Sequence, residues 1–342
     1  MEKRVWSRDE LLAEHSFAAP HIAAGRTLHG GLDEKGAYIS PRTLHRTTAL
    51  RNWQAALEAR GGTLLACDSS LLPSPLYPNT AQMELLLGAG LGQTLWNSFS
   101  ITGAIEANGK LLIDLVPPRF SDVIVDPLEE TATGHLHKGL LVAHGMDEGG
   151  APGAGLGAHD EMWFALRDLA FGADAWPFPE VPESIARPDS GRLFPMLPEP
   201  HEAMLSLLMN VLLIEVRAEK VFSFAQALLA QPDLFPRPAS DIAEAWTMVE
   251  RIRIDEDVHV DYLRLVLSEM RAMRWRTNDG AEIAGSEVID PAWETVVHWH
   301  GVENPRLARA QQTELLRGRI LAHGEGEALL ARFEALTEPL AA

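Results

Sequence analysis

Apolar residues recur at three- and four-residue steps along most of this chain, which is the spacing of one helix face. The longest such runs are "HEAMLSLLMNVLLIEVRAEKVFSFAQALL" (201–229) and a stretch from a Ser240 cap to about Arg276. The same spacing predicts a helix over 46–62, closed by Gly61-Gly62, and one over about 80–106, opened by an Asn79/Gln82 capping box. Further helices are expected from Asp126-Pro127 to Gly149-Gly150, over 157–171 and from Asp290-Pro291, with two amphipathic helices closing the chain. Ser7 can cap a short helix near the start, and "NDGAEIAGSEVID" reads as a turn or small hairpin. "AWPFPEVPESIARPDSGRLFPMLPEP" is dense in proline, so 172–200 reads as an irregular linker lying outside the helices. These elements predict an all-α protein. Residues 1–125 form a mixed, loop-rich helical region, and 126–342 form a helical bundle with 172–200 as an insertion.

Two of the apolar stripes are interrupted by charge. In "IRIDEDVHVDYLRLV" the stripe Met248, Ile252, Asp255, Glu256, His259, Leu263, Val266 places two acids and a histidine on the face that should be buried. Glu256 and His259 stand three residues apart, so both side chains can reach one metal ion. In "LLMNVLLIEVRAEKVF" Glu215 shares a stripe with Leu208, Leu212 and Phe222. A lone buried carboxylate costs several kcal/mol unless paired or bound to a cation. The plain alternative is a salt bridge to Arg217 or Arg251.

Composition narrows the chemistry. The 342 residues carry 48 Asp+Glu against 29 Lys+Arg, a formal charge of −19, which repels phosphate backbones and anionic lipid. Nucleic acid and membrane are therefore not the expected partners. The single cysteine, Cys67, excludes an internal disulfide and a thiolate cluster. With no signal-peptide pattern and no apolar run of about 18 residues, a cytoplasmic location is expected.

The other candidate ligands lie between 127 and 171. Glu130, His137 and His144 recur at seven-residue steps and lie near one stripe; His135 falls on another. In "GLGAHDEMWFALRDLAFG" His159 shares a stripe with Trp163 and Leu166, and points inward better than Glu161. For any single buried histidine a hydrogen-bonded structural role is the commoner one. Tyr262, one turn past His259, is a candidate redox or proton-donor group.

"IRIDEDVHVDYLRLVLSE" resembles the last metal-binding helix of ferritin-like di-iron carboxylate proteins, and "NVLLIEVRAEKVF" is similar to the helix that precedes it there. This resemblance covers about residues 200–276 and implies that Glu215, Glu256 and His259 are metal ligands. It also implies a further Glu and a second Glu-x-x-His in the first half. Glu130 and Glu161, 31 residues apart, suit the two carboxylates, but position 164 is Phe, so His159, His135 or His137 would take the histidine's place. Haem-oxygenase-like di-iron oxidases offer a second fit, since a Glu and a His seven apart, a later Glu and a carboxylate-plus-His helix also resemble their arrangement. Either resemblance implies two irons, or iron with manganese, and an O2-dependent oxidase or oxygenase acting on a small organic substrate. An external electron donor and a homodimer are compatible with both. The competing expectation is a non-catalytic helical scaffold or metal-storage protein.

Overall fold

A computed structural model describes residues 2–183, 187 and 191–341. Among them are eleven α-helices and two small two-stranded sheets, so the fold is all-α. The helices are α1 (Arg8–Leu11), α2 (Arg46–Ala59), α3 (Thr80–Gly88), α4 (Gln93–Glu106), α5 (Leu140–Gly149) and α6 (His159–Phe171). They continue with α7 (Glu199–Leu229), α8 (Ala239–Ala272), α9 (Gly285–His298), α10 (Asn304–Leu321) and α11 (Gly326–Ala335). Strands β1 (His21–Ala23) and β2 (Arg26–Leu28) pair antiparallel near the start. Strands β3 (Arg274–Arg276) and β4 (Glu282–Ala284) form the expected hairpin after α8. Among the described residues no helix is long and apolar enough to cross a membrane.

The two longest helices form where the periodicity put them, except that α8 begins after Pro238 without a Ser240 cap and ends at Ala272, residues 274–276 forming β3 instead. The two helices pack against each other. Their short connection makes them antiparallel. The stripe Met248, Ile252, Asp255, Glu256, His259, Leu263, Val266 is buried along its whole length. α8 is the central element, in contact with α2, α5, α6, α7 and α9; α4 in turn packs on α6. Both buried apolar clusters draw on residues from each side of position 125. One includes Trp6, Trp53 and Leu212, the other Trp96, Trp163 and Ile252. The capping boxes of Ser7 with Glu10 and of Asn79 with Gln82 are both formed.

Three further helix expectations are corrected. The helix over 80–106 is two, because the chain turns through "AGLG" (89–92) between α3 and α4. The helix from Asp126-Pro127 does not form at its start. Residues 133–138 make a 3-10 turn, Gly139 takes φ +137, a value side-chain-bearing residues rarely adopt, and only then does α5 begin. The helix expected from Asp290 starts at Gly285 and carries Pro291 inside it.

The proline-rich segment has no regular structure over its described residues before Glu199; the part of that expectation falling on 184–186 and 188–190 lies outside the described residues. The segment is not wholly peripheral, because Phe194 and Leu197 are fully buried in the core.

Candidate metal centre

Five helices bring their charged residues to one buried point. α5 carries His144, Asp147 and Glu148, α6 carries His159, α7 carries Glu215, and α8 carries Asp255, Glu256 and His259. Glu106, half-buried at the end of α4, completes the set. Of three groups of ligand atoms lying within 4.8 Å of one another, one is His29, His159 and Asp255, and the other two are His144, Glu148, Glu215, His259 and Glu106, Glu148, His159, Glu256. Glu148 belongs to both four-residue groups. Each of these can hold a metal ion, and the shared carboxylate is the natural bridge between two ions.

The histidines are aimed. Glu148 Oε1 lies 3.3 Å from His144 Nε2, 3.6 Å from His159 Nδ1 and 3.2 Å from His259 Nδ1. The opposite nitrogen of each ring is tied to a fixed partner. His144 Nδ1 is 2.8 Å from the Tyr262 hydroxyl, His159 Nε2 is 3.0 Å from Asp255 Oδ2, and His259 Nε2 is 3.1 Å from Asp147 Oδ2. Fixing one ring nitrogen sets the tautomer and orientation in which the other meets a metal. The supporting carboxylates are held in turn. Asp255 Oδ2 accepts from Tyr38 (2.8 Å) and lies 3.1 Å from His29 Nε2; Asp147 accepts from Arg42 Nε (2.8 Å) and Arg46 Nη2 (2.9 Å). The His144 and His259 rings stack with centroids 3.8 Å apart.

Inside this frame Glu148 Oε1, His159 Nδ1 and Glu256 Oε1 are buried and make no well-aligned hydrogen bond, although His159 Nδ1 lies 3.1 Å from Glu256 Oε1 and 3.6 Å from Glu148 Oε1; Asp255 Oδ1 behind them is likewise unpartnered. Native interiors rarely leave such atoms unmatched, and here the first three face the common point. The donor set fits a cation.

Electrostatics agree. Burial, and then the Glu256 carboxylate, push Glu215 up to about 8; burial and Glu148 push Glu106 well above the ordinary carboxylate range. Burial also opposes charge on His144, yet Tyr262, Glu148 and Glu215 raise it to about 10. Burial opposes charge on His159 and His259 too, and their carboxylate neighbours raise both well above the usual value. Without a cation, protons on the imidazoles neutralise the carboxylates. A metal takes over that role and displaces the protons.

Of the residues singled out in the sequence, His159, Glu215, Glu256 and His259 meet here. Glu215 pairs with His144 (3.1 Å) and not with Arg217 or Arg251. Glu130, His137 and Glu161 do not join them. Glu130 sits on an irregular stretch, exposed, with Arg4 as its nearest cation, and His137 is exposed in the 3-10 turn, because the helix that would have aimed both is absent. Glu161 turns away on α6 to the Arg26 guanidinium (2.7 Å). Tyr262 lies behind the His144 ring, so it acts through that imidazole as a positioning residue. Glu130→Ala and His137→Ala are therefore expected to keep full metal content and to change stability by no more than about 0.5 kcal/mol; loss of metal in either, by elemental analysis, would contradict this placement.

Of the Glu130, His137, His144 series only His144 reaches the centre, and Glu106 and Glu148 were not singled out from the sequence. Glycines offer one clue to Glu148. A Cβ on Gly109 would stand 2.3 Å from Glu148 Cγ, and one on Gly149 would stand 2.6 Å from Lys110 Cβ, so α5 lies hard against residues 109–113. Gly109→Ala must displace the Glu148 side chain. Lower metal content with an unchanged far-ultraviolet helical signal is the expected result, and wild-type content would show that Glu148 has room to adapt.

Comparison with protein-family models, with curated proteins and with solved structures finds no match to this chain.

Proposed function

We propose that the protein is a non-haem di-iron enzyme, with iron–manganese as the alternative metal pair, that uses O2 to oxidise a small organic substrate. The observation that carries this reading is the convergence of three oriented imidazole nitrogens and four carboxylates, with Glu148 common to both halves. Imidazole and carboxylate without thiolate suit iron, manganese or zinc, and Cys67 is not in the cluster. When bound, two irons would supply the redox chemistry that activates O2.

The chain's own residues set the conditions for that chemistry. His144, Glu148, Glu215 and His259 would hold one ion, and Glu106, Glu148, His159 and Glu256 the other. Asp147, Asp255 and Tyr262 hold the outer nitrogens of the three rings, so that an inner nitrogen faces each metal position. Ile252, Leu263, Leu212 and Trp163 are fully buried, and their apolar bulk keeps water from reactive species. The resemblance to ferritin-like and haem-oxygenase-like proteins supports the part played by α7 and α8. In the first half the ligands come from α4, α5 and α6, not from Glu130 and Glu161.

Elemental analysis of protein purified from iron-supplemented cells, followed by O2 uptake with a reductant, tests the proposal. About two equivalents of iron or iron plus manganese, with O2 consumption lost on chelation, is the expected outcome. Zinc alone, or no stoichiometric metal, would overturn it. Stoichiometric iron without substrate-dependent O2 use would favour storage.

A further inference from the structure

An apolar cavity of about 370 Å³ leads from the surface to the metal centre. Its floor is His144, Glu148 and Glu215, all buried, with Glu106 beside them. Its walls are aliphatic, chiefly Leu115 together with Leu207, Val211 and Ile214 of α7. Its mouth is exposed and carries Asn108, Leu111 and Glu183. Leu111 is 69% exposed there, so the rim of the opening is partly apolar. The volume falls within the range of small-molecule sites.

The charge of the lining is one-sided. Among its described lining residues there is no lysine or arginine, while carboxylates occur at the mouth and around the floor. An anionic head group would meet Glu183 at the entrance, with no lysine or arginine among the described lining residues, on a chain whose formal charge is −19. A hydrocarbon chain satisfies the walls, and a neutral or ammonium end suits Asn108 and Glu183.

We propose that this cavity is the substrate channel and that it takes an aliphatic chain without a negative charge, an alkyl alcohol or alkyl amine in type. The chain lies along Leu207, Val211 and Ile214 with its far end toward Glu148 and its polar end at Asn108 and Glu183. This rests on the reading of the centre as an oxidase, but channel and centre can fail separately.

Equilibrium binding to the metal-loaded protein tests the channel with octanol, octylamine and octanoate as probes. The first two should bind at least about tenfold more tightly than octanoate. Within the alcohols affinity should rise about fourfold for each added methylene until the channel is full. Leu207→Trp, two helical turns from Glu215, fills the channel and should abolish that chain-length dependence while metal content stays at the wild-type level; Val211→Trp, one turn nearer Glu215, serves if the first variant does not fold. Glu183→Lys should shift preference toward octanoate. Tightest binding of octanoate by wild-type protein, or undiminished chain binding by both tryptophan variants, would overturn the proposal. Chain binding without O2 consumption would keep the channel and remove the oxidase. O2 consumption with no discrimination among the probes would do the reverse.

Discussion

Glu148→Ala is expected to lose metal from both positions at once, taking bound metal from about two equivalents to well under one. The reason is geometric. Glu148 is the only residue in both four-residue ligand groups, and its Oε1 is the atom on which the three inner imidazole nitrogens converge. Glu256→Ala removes a ligand from one group and His259→Ala from the other. Each should weaken one position more than its neighbour and leave a partly loaded protein without O2-dependent activity. Loss of metal also removes its stabilisation of the fold. An ion present at 1,000 times its dissociation constant contributes about 4 kcal/mol, so chelated wild-type protein should unfold at a lower temperature, and Glu148→Ala should gain little from added metal. A structural His–carboxylate network would behave differently. Wild-type protein would then hold no stoichiometric metal, and Glu148→Ala would lower stability to the same extent with and without added metal, by leaving three buried imidazoles with one carboxylate fewer. Elemental analysis and thermal unfolding on the same samples separate the two. Full iron retention by Glu148→Ala would refute the bridging assignment.

The half of the site on α7 and α8 was legible because polar residues there break a strong period. Glu215, Glu256 and His259 sit among Leu208, Leu212, Ile252 and Leu263, and an unpaired carboxylate in such company needs a cation. The other half offered no such contrast. Glu148 stands in "MDEGGAPGAG", which reads as a solvated acidic helix end, and Glu106 in "AIEANGK", which reads as a fraying one. Both become internal only because glycines let α5 lie against residues 109–113, a tertiary contact with no local signature beyond the glycines themselves. The seven-residue recurrence of Glu130, His137 and His144 assumed a helix that Gly134 and Gly139 interrupt, so only His144 arrives. His29, Tyr38, Arg42 and Arg46 reach the centre from a loop-rich region whose periodicity says nothing about what it touches.

Asp147→Asn is expected to damage stability and metal affinity together, and the two losses have separate causes. Asp147 is fully buried beneath the centre, with one oxygen accepting from Arg42 and the other from Arg46 while facing His259 Nε2. Burial alone would raise its pKa; the two guanidinium groups outweigh burial and hold the carboxylate well below its ordinary range. Asparagine keeps the shape but removes the charge, leaving Arg42 and Arg46 buried without their shared anion. Breaking a buried pair in this way costs about 3–5 kcal/mol, a large part of a typical domain's stability of about 5–15 kcal/mol. Unfolding in chelator reads that loss without interference from the metal. The second loss comes from His259, whose outer nitrogen would face an amide instead of a carboxylate; such changes lower metal affinity about 10- to 100-fold. Arg46→Met provides the contrast. It removes one buried cation at similar length and leaves Asp147 with Arg42 and His259, so metal affinity should stay within a few-fold of wild type while stability falls. Wild-type metal affinity in Asp147→Asn would mean that packing alone, chiefly the stacked His144 ring, aims His259 at the metal, and that the Asp147–arginine pair serves only the fold.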